Sequence, residues 1–166
     1  MKKDKIVALL EEKHSTLFNW LDQHDLDKWE TGPDGKWTTG QQVLHLVQSA
    51  KTLNKALRMP KFLLRYKFGK SNRTPRNYDS IVKRYHKRLE QTKGGTFGPS
   101  QNMRVPNTNE KVTLISQLKA EEKKLLKSTK AWKDKQLDNL LLPHPLMGRM
   151  PVRELIMWSA YHVEHH

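Results

Sequence analysis

Apolar side chains recur along this chain mainly at intervals of three and four. Ile6, Leu9, Leu10, Leu17, Trp20 and Leu21 fall on one face of a helix over residues 3–23. Gly32, Pro33 and Gly35 in "TGPDGKW" break the pattern and predict a turn. A second helix opens at "WTTGQQVLHL". There Thr38 and Gln41 have the spacing of a capping box, in which the hydroxyl and the amide satisfy each other's backbone N–H. Its apolar stripe is Leu46, Val47, Ala50, Leu53 and Leu57. His45 lies beside that stripe, in line with Gln41, Gln42, Gln48, Ser49 and Thr52. Residues 109–132 repeat the pattern with Val112, Ile115, Leu118, Leu125, Leu126 and Trp132. Asn107, Thr108 or Asn109 is the expected N-cap. A last helix starts near Met150 or Pro151 and runs to the end.

The stretch between the second and third long helices, residues 59–110, reads as loop except for a helical "YDSIVKRYHKRLEQT" with Ile81, Tyr85 and Leu89 on one face. Its apolar anchors mark it as a crossover rather than a linker. No strand pattern and no internal repeat are evident. The expected fold is all-α: a four-helix bundle with a long crossover between helices 2 and 3, a single domain over residues 1–166.

The histidines change the picture. On the last helix Val152, Leu155, Ser159, His162 and His166 follow spacings of three, four, three and four, so two imidazoles stand where the core stripe should continue. Burying them is costly unless each is hydrogen-bonded or bound to a metal. A terminal His-His is also what a purification tag leaves behind. His45 is the best third ligand, because bundles build metal sites from facing helices. Three histidines leave a coordination position open, as catalytic sites do. Zinc, nickel and ferrous iron all suit imidazole. The other histidines fit structural roles: His14 and His24 exposed or partly packed, His86 solvated, His144 shaping a turn, His165 pointing away from the His162/His166 face. The five tryptophans are read as core or boundary residues.

Charge and composition narrow the function classes. There is no cysteine, which excludes thiolate zinc sites, iron–sulfur clusters and cysteine nucleophiles within the chain and fits a reducing cytoplasm. "MKKDKIVALLEEK" is too short in its apolar run for a signal sequence, and no stretch is long enough to span a membrane, so a soluble cytoplasmic protein is expected. The net charge is +14, and residues 58–93 hold twelve Lys or Arg against Asp79 and Glu90, with aromatics interleaved. Such a segment attracts anionic partners, but no recognised motif accompanies it, which argues against nucleic acid.

"WTTGQQVLHLVQS" and "HPLMGRMPVRELIMWSAYHVEHH" together resemble the DinB/YfiT-like superfamily. Trp37, Thr38, Gln41 and His45 match the pattern at the start of that family's second helix. His144, Pro145 and Gly148 match its "HP-x-x-G" turn, and His162 and His166 its "H-x-x-x-H". The resemblance implies a divalent metal on His45, His162 and His166, the same three that burial selects. It also implies a metal-dependent hydrolase or a low-molecular-weight thiol transferase acting on a small molecule, and a homodimer in many members. Gln41, Gln42 and Ser49 are candidates to line the cavity; none is a good general base at neutral pH. The alternative is a non-catalytic stress-response or binding protein that works through its basic crossover. Relatives continue the last helix beyond the final ligand; a stop at His166 leaves the last carbonyls uncapped and is expected to weaken metal binding.

Overall fold

The computed structural model describes residues 1–24, 28–92 and 102–166. They are mostly helical. The helices are α1 (Lys3–Gln23), α2 (Thr39–Leu57), α3 (Lys61–Phe68), α4 (Tyr78–Gln91), α5 (Lys111–Ala131), α6 (Asp134–Asn139) and α7 (Val152–His165). A small antiparallel ribbon of β1 (Leu141–His144) and β2 (Gly148–Pro151) precedes α7. Helix α2 packs on α5, and α1 packs on both α7 and α5.

Local chemistry sets these boundaries. At the start of α2, Thr38 Oγ1 accepts from Gln41 N–H at 3.2 Å, and Gln41 Oε1 accepts from Thr38 N–H at 2.9 Å. Asn77 caps α4 by accepting from Ser80 N–H. Asn107 and Glu110 form a reciprocal cap over a 3₁₀ turn that leads into α5.

The expectation that the chain holds no strand is corrected by the β1–β2 ribbon, whose register pairs Leu141 with Pro151 and His144 with Gly148. Four-residue strands are too short to show alternation, and Pro143 and Pro151 read as strand breakers. In a two-stranded ribbon a proline can face outward without losing a ladder bond. Gly148 closes the turn at φ 74°, a conformation that favours glycine. Helices α3 and α6 were also not expected. Helix α3 docks through fully buried Leu64 against β1.

The buried apolar residues form two clusters. One joins Ile6 and Leu10 of α1 to Ile81 and Tyr85 of α4, the ribbon and most of α7. The other joins Leu21, Trp29, Val43, Val47, Leu118 and Val163. Two stripe assignments fail: Val112 is 77 % exposed and Trp20 44 % exposed. Trp20 instead stacks on His24. His14, expected to be exposed or partly packed, is buried, with its Nδ1 on Leu10 O at 2.8 Å.

No helix among the described residues is long and apolar enough to cross a membrane.

Candidate metal centre

Helix α2 carries His45, and the last turns of α7 carry His162 and His166. The capping box fixes where α2 begins and therefore the direction in which His45 projects. Four-residue spacing on α7 puts His162 and His166 on one face. The three rings converge, with centroids 4.8 Å apart for His45–His162 and 4.6 Å for both His45–His166 and His162–His166. One nitrogen from each ring lies within 4.8 Å of the others.

His45 Nε2 and His162 Nε2 are 2.9 Å apart. That is the distance of a hydrogen bond between two neutral rings; with each nitrogen about 2.1 Å from a common point it also corresponds to an angle of about 90° there, narrower than the roughly 109° of tetrahedral zinc. His162 is 4 % exposed; His45 and His166 are half-buried. Burial is the main force lowering their affinity for protons, and the facing rings add to it. His45 falls from 6.5 to about 4 and His166 from 6.5 to about 3, while His162 is pushed well below its ordinary value. All three are therefore neutral at physiological pH, the form that donates a lone pair. His166 Nδ1–H donates to Gln42 Oε1. That bond leaves the lone pair of His166 on Nε2 and fixes the ring, as partners of metal-bound imidazoles do. The donor set fits a divalent ion of the zinc, nickel or ferrous type.

The three residues proposed to line a cavity separate. Gln42 touches the triad through His166. Gln41 is buried and fully engaged, its Oε1 in the helix cap and its Nε2 donating to Met103 O at 2.7 Å. Ser49, one turn beyond His45 on α2, is half-buried.

Two indoles bracket the centre. Trp37 stacks on His166 at 5.8 Å and 14°, and Trp158 stacks on His162 at 4.4 Å and 24°. Behind Trp158 stands His144, edge-on at 4.2 Å and 83°. His144 Nδ1 accepts from the N–H groups of Leu146 and Met147, both at 3.0 Å, and so shapes the turn between the strands. His86 is expected from the sequence to be solvated. It is exposed, but its Nε2 lies 2.5 Å from Tyr161 Oη, and His165 packs against Tyr85 and His86. An α4–α7 pairing of this kind leaves no trace in the spacing of either helix.

A second group was missed altogether. Glu154, 1 % exposed at the start of α7, is held by Arg73 and Arg76. Arg153, also buried, pairs with Asp134 and Asp138 of α6 and donates to Met1 O. The only signal in the sequence was "RE" in the first turn of a helix that should be apolar.

The chain matches neither a curated protein nor a solved structure. The family model of the DinB superfamily matches residues 6–166, essentially the whole chain. With three neutral imidazoles gathered from its second and last helices, the chain belongs to the DinB superfamily.

Proposed function

We propose that His45, His162 and His166 hold one divalent metal ion, and that the protein is a metal-dependent enzyme, a hydrolase or a low-molecular-weight thiol transferase. In this reading α1, α2, α5 and α7 are the four helices of a single bundle domain, and α3 and α4 belong to the crossover. The observation that carries it is the convergence of three neutral ring nitrogens, two of them 2.9 Å apart, from helices that are distant in sequence.

A bound ion of this type lowers the pKa of a water or thiol at an open position. The chain's own residues supply the rest. Gln42 orients His166, and Trp158 and Trp37 wall the rings with apolar surface. The ligand set is wholly neutral, so a bound divalent ion keeps its full charge toward an anionic reacting group.

Elemental analysis of protein purified without nickel resin tests this. Wild type is expected to carry close to one metal per chain, and both His45→Ala and His162→Ala to carry none while remaining helical by circular dichroism. Metal-free wild type, or metal retained in folded His45→Ala, would overturn the assignment. Loaded protein is then screened for hydrolysis and for thiol transfer.

A further inference from the structure

Helix α3 carries large apolar side chains on two opposite faces. Leu64 is fully buried and anchors the helix against β1. Phe62 and Tyr66 lie two residues either side of Leu64. At about 100° per residue both fall about 160° from it, on the far side of the helix and about 40° from each other. Phe62 is 76 % exposed and Tyr66 87 % exposed. A surface helix ordinarily turns polar residues to that side. Here it carries two rings one turn apart, with half-buried Leu63 next to them in the chain.

The helix is not free to roll these rings inward. Lys61 Nζ donates to Leu57 O at 3.1 Å and sits 3.4 Å over the Trp132 ring, which fixes the first turn. At the other end Gly69 N–H donates to Arg65 O at 3.0 Å, and Phe68 packs on the core. Arg149 Nη1 donates to Phe68 O at 3.3 Å. Burying the rings would withdraw Leu64 and break these contacts.

The charge around the rings has one sign. Between residues 35 and 78 the chain contains no Asp or Glu. Arg65 and Lys67 lie on α3 itself, Arg58 and Lys70 just beyond its two ends, and Arg149 reaches its last turn. All five are exposed, and none takes part in an ion pair among the described residues. Exposed rings opposite their own anchor, bordered by unpaired cations, suit a partner that is apolar inside and anionic at its surface. A bilayer with acidic headgroups has that layering. Aromatic rings settle at the headgroup level, and Lys and Arg stems lie along apolar surface while their charges stay with the phosphates. A second copy would instead bring like cations face to face, in a chain of net charge +14. Single-stranded nucleic acid would match the charge, but its stacking sites line grooves that track the backbone, whereas these rings crown a convex helix.

We infer that the outer face of α3, led by Phe62 and Tyr66 with Arg65 and Lys67 beside them, docks the protein on a membrane surface that carries anionic lipid. The contact is peripheral and confined to the headgroup layer. It is independent of the metal centre.

The full chain is co-sedimented at fixed ionic strength with vesicles of phosphatidylcholine, with and without phosphatidylglycerol. Wild type is expected to bind the phosphatidylglycerol vesicles and to leave the neutral ones. Phe62→Ala/Tyr66→Ala and Arg65→Gln/Lys67→Gln should each weaken binding about tenfold. Two matched controls on α5 should bind like wild type: Val112→Ala, which trims a side chain 77 % exposed, and Lys123→Gln/Lys127→Gln, which removes two exposed charges. Because both rings are exposed and alanine favours helix, Phe62→Ala/Tyr66→Ala should melt no lower than wild type. Absence of binding to either vesicle would overturn the inference. So would undiminished binding by Phe62→Ala/Tyr66→Ala, which is adsorption of a basic protein by charge alone, a lower melting point for that variant, or equal weakening by the α5 charge pair. Ring-dependent self-association, or ring-dependent binding of a single-stranded oligonucleotide, without vesicle binding would assign the face to a second copy or to nucleic acid and overturn it as well.

Discussion

An imidazole can ligate only through the nitrogen that lacks a proton, so the group on its other nitrogen decides what it can do. For His166 that group is the Gln42 amide. Gln42→Leu removes the acceptor while nearly keeping the volume. Metal affinity is expected to fall about 10- to 100-fold with little change in melting temperature, measured by competition with a chromophoric chelator. Much of this centre was legible in the sequence. His162 and His166 interrupt an apolar stripe, and His45 flanks another, and a polar residue on a core face needs a reason. The division of labour between Gln41 and Gln42 was not legible. Both lie on the polar side of α2, but the acceptor role of Gln42 depends on a residue 124 positions away. Gln41 meets Met103 across 62 positions. Spacing within one helix carries no information about such partners.

Helix α2 owes its placement to a close approach at its first turn. Gly40 N–H donates to Trp29 O at 3.0 Å, and a Cβ on Gly40 would lie 2.7 Å from that oxygen and 2.9 Å from Pro106 Cγ. Alanine is the better helix former by about 1 kcal/mol. The clash with backbone should outweigh that gain. Gly40→Ala is expected to destabilise the fold by about 1–3 kcal/mol, read from the shift of the urea midpoint. The long elements α1, α2, α5 and α7 were evident because three or more turns of periodic apolar residues are hard to misread. Shorter ones were not. Helix α3 offers eight residues with one fully buried side chain, Leu64, and the ribbon is built around prolines. Val112 shows the converse error: it fits the α5 stripe by spacing, yet it is exposed while Leu114, two residues on in the same turn, is buried.

At the scale of the whole molecule, stability should depend on keeping buried histidines neutral. His144 accepts two backbone N–H bonds at Nδ1, and burial lowers its pKa from 6.5 to about 4. Above pH 6.5 neither the folded nor the unfolded chain protonates it. As pH falls below 6.5 the unfolded chain takes up a proton that the folded chain refuses until pH is near 4. Over that window His144 should cost up to about 1.4 kcal/mol of stability per pH unit. His14, buried and shifted in the same direction, adds to the slope. Urea unfolding of metal-free protein across this range should show the decline, shallower by one proton in His144→Asn. A slope identical in the variant would mean that His144 is not the titrating group.

The two indoles beside the triad have a spectroscopic consequence. Of the chain's five tryptophans, Trp29 is sealed in the core, Trp132 lies under the Lys61 ammonium, and Trp20 stacks on His24 at the surface. Only Trp37 and Trp158 stack on rings of the triad. Intrinsic emission is therefore a built-in gauge of the centre. If the triad holds a metal as proposed, an open-shell ion such as cobalt or nickel is expected to quench these two emitters, and a closed-shell ion such as zinc to shift them without quenching, read by titrating each ion into metal-free protein. Occupancy and the electronic class of the ion would then both be readable in the native protein, with no label attached.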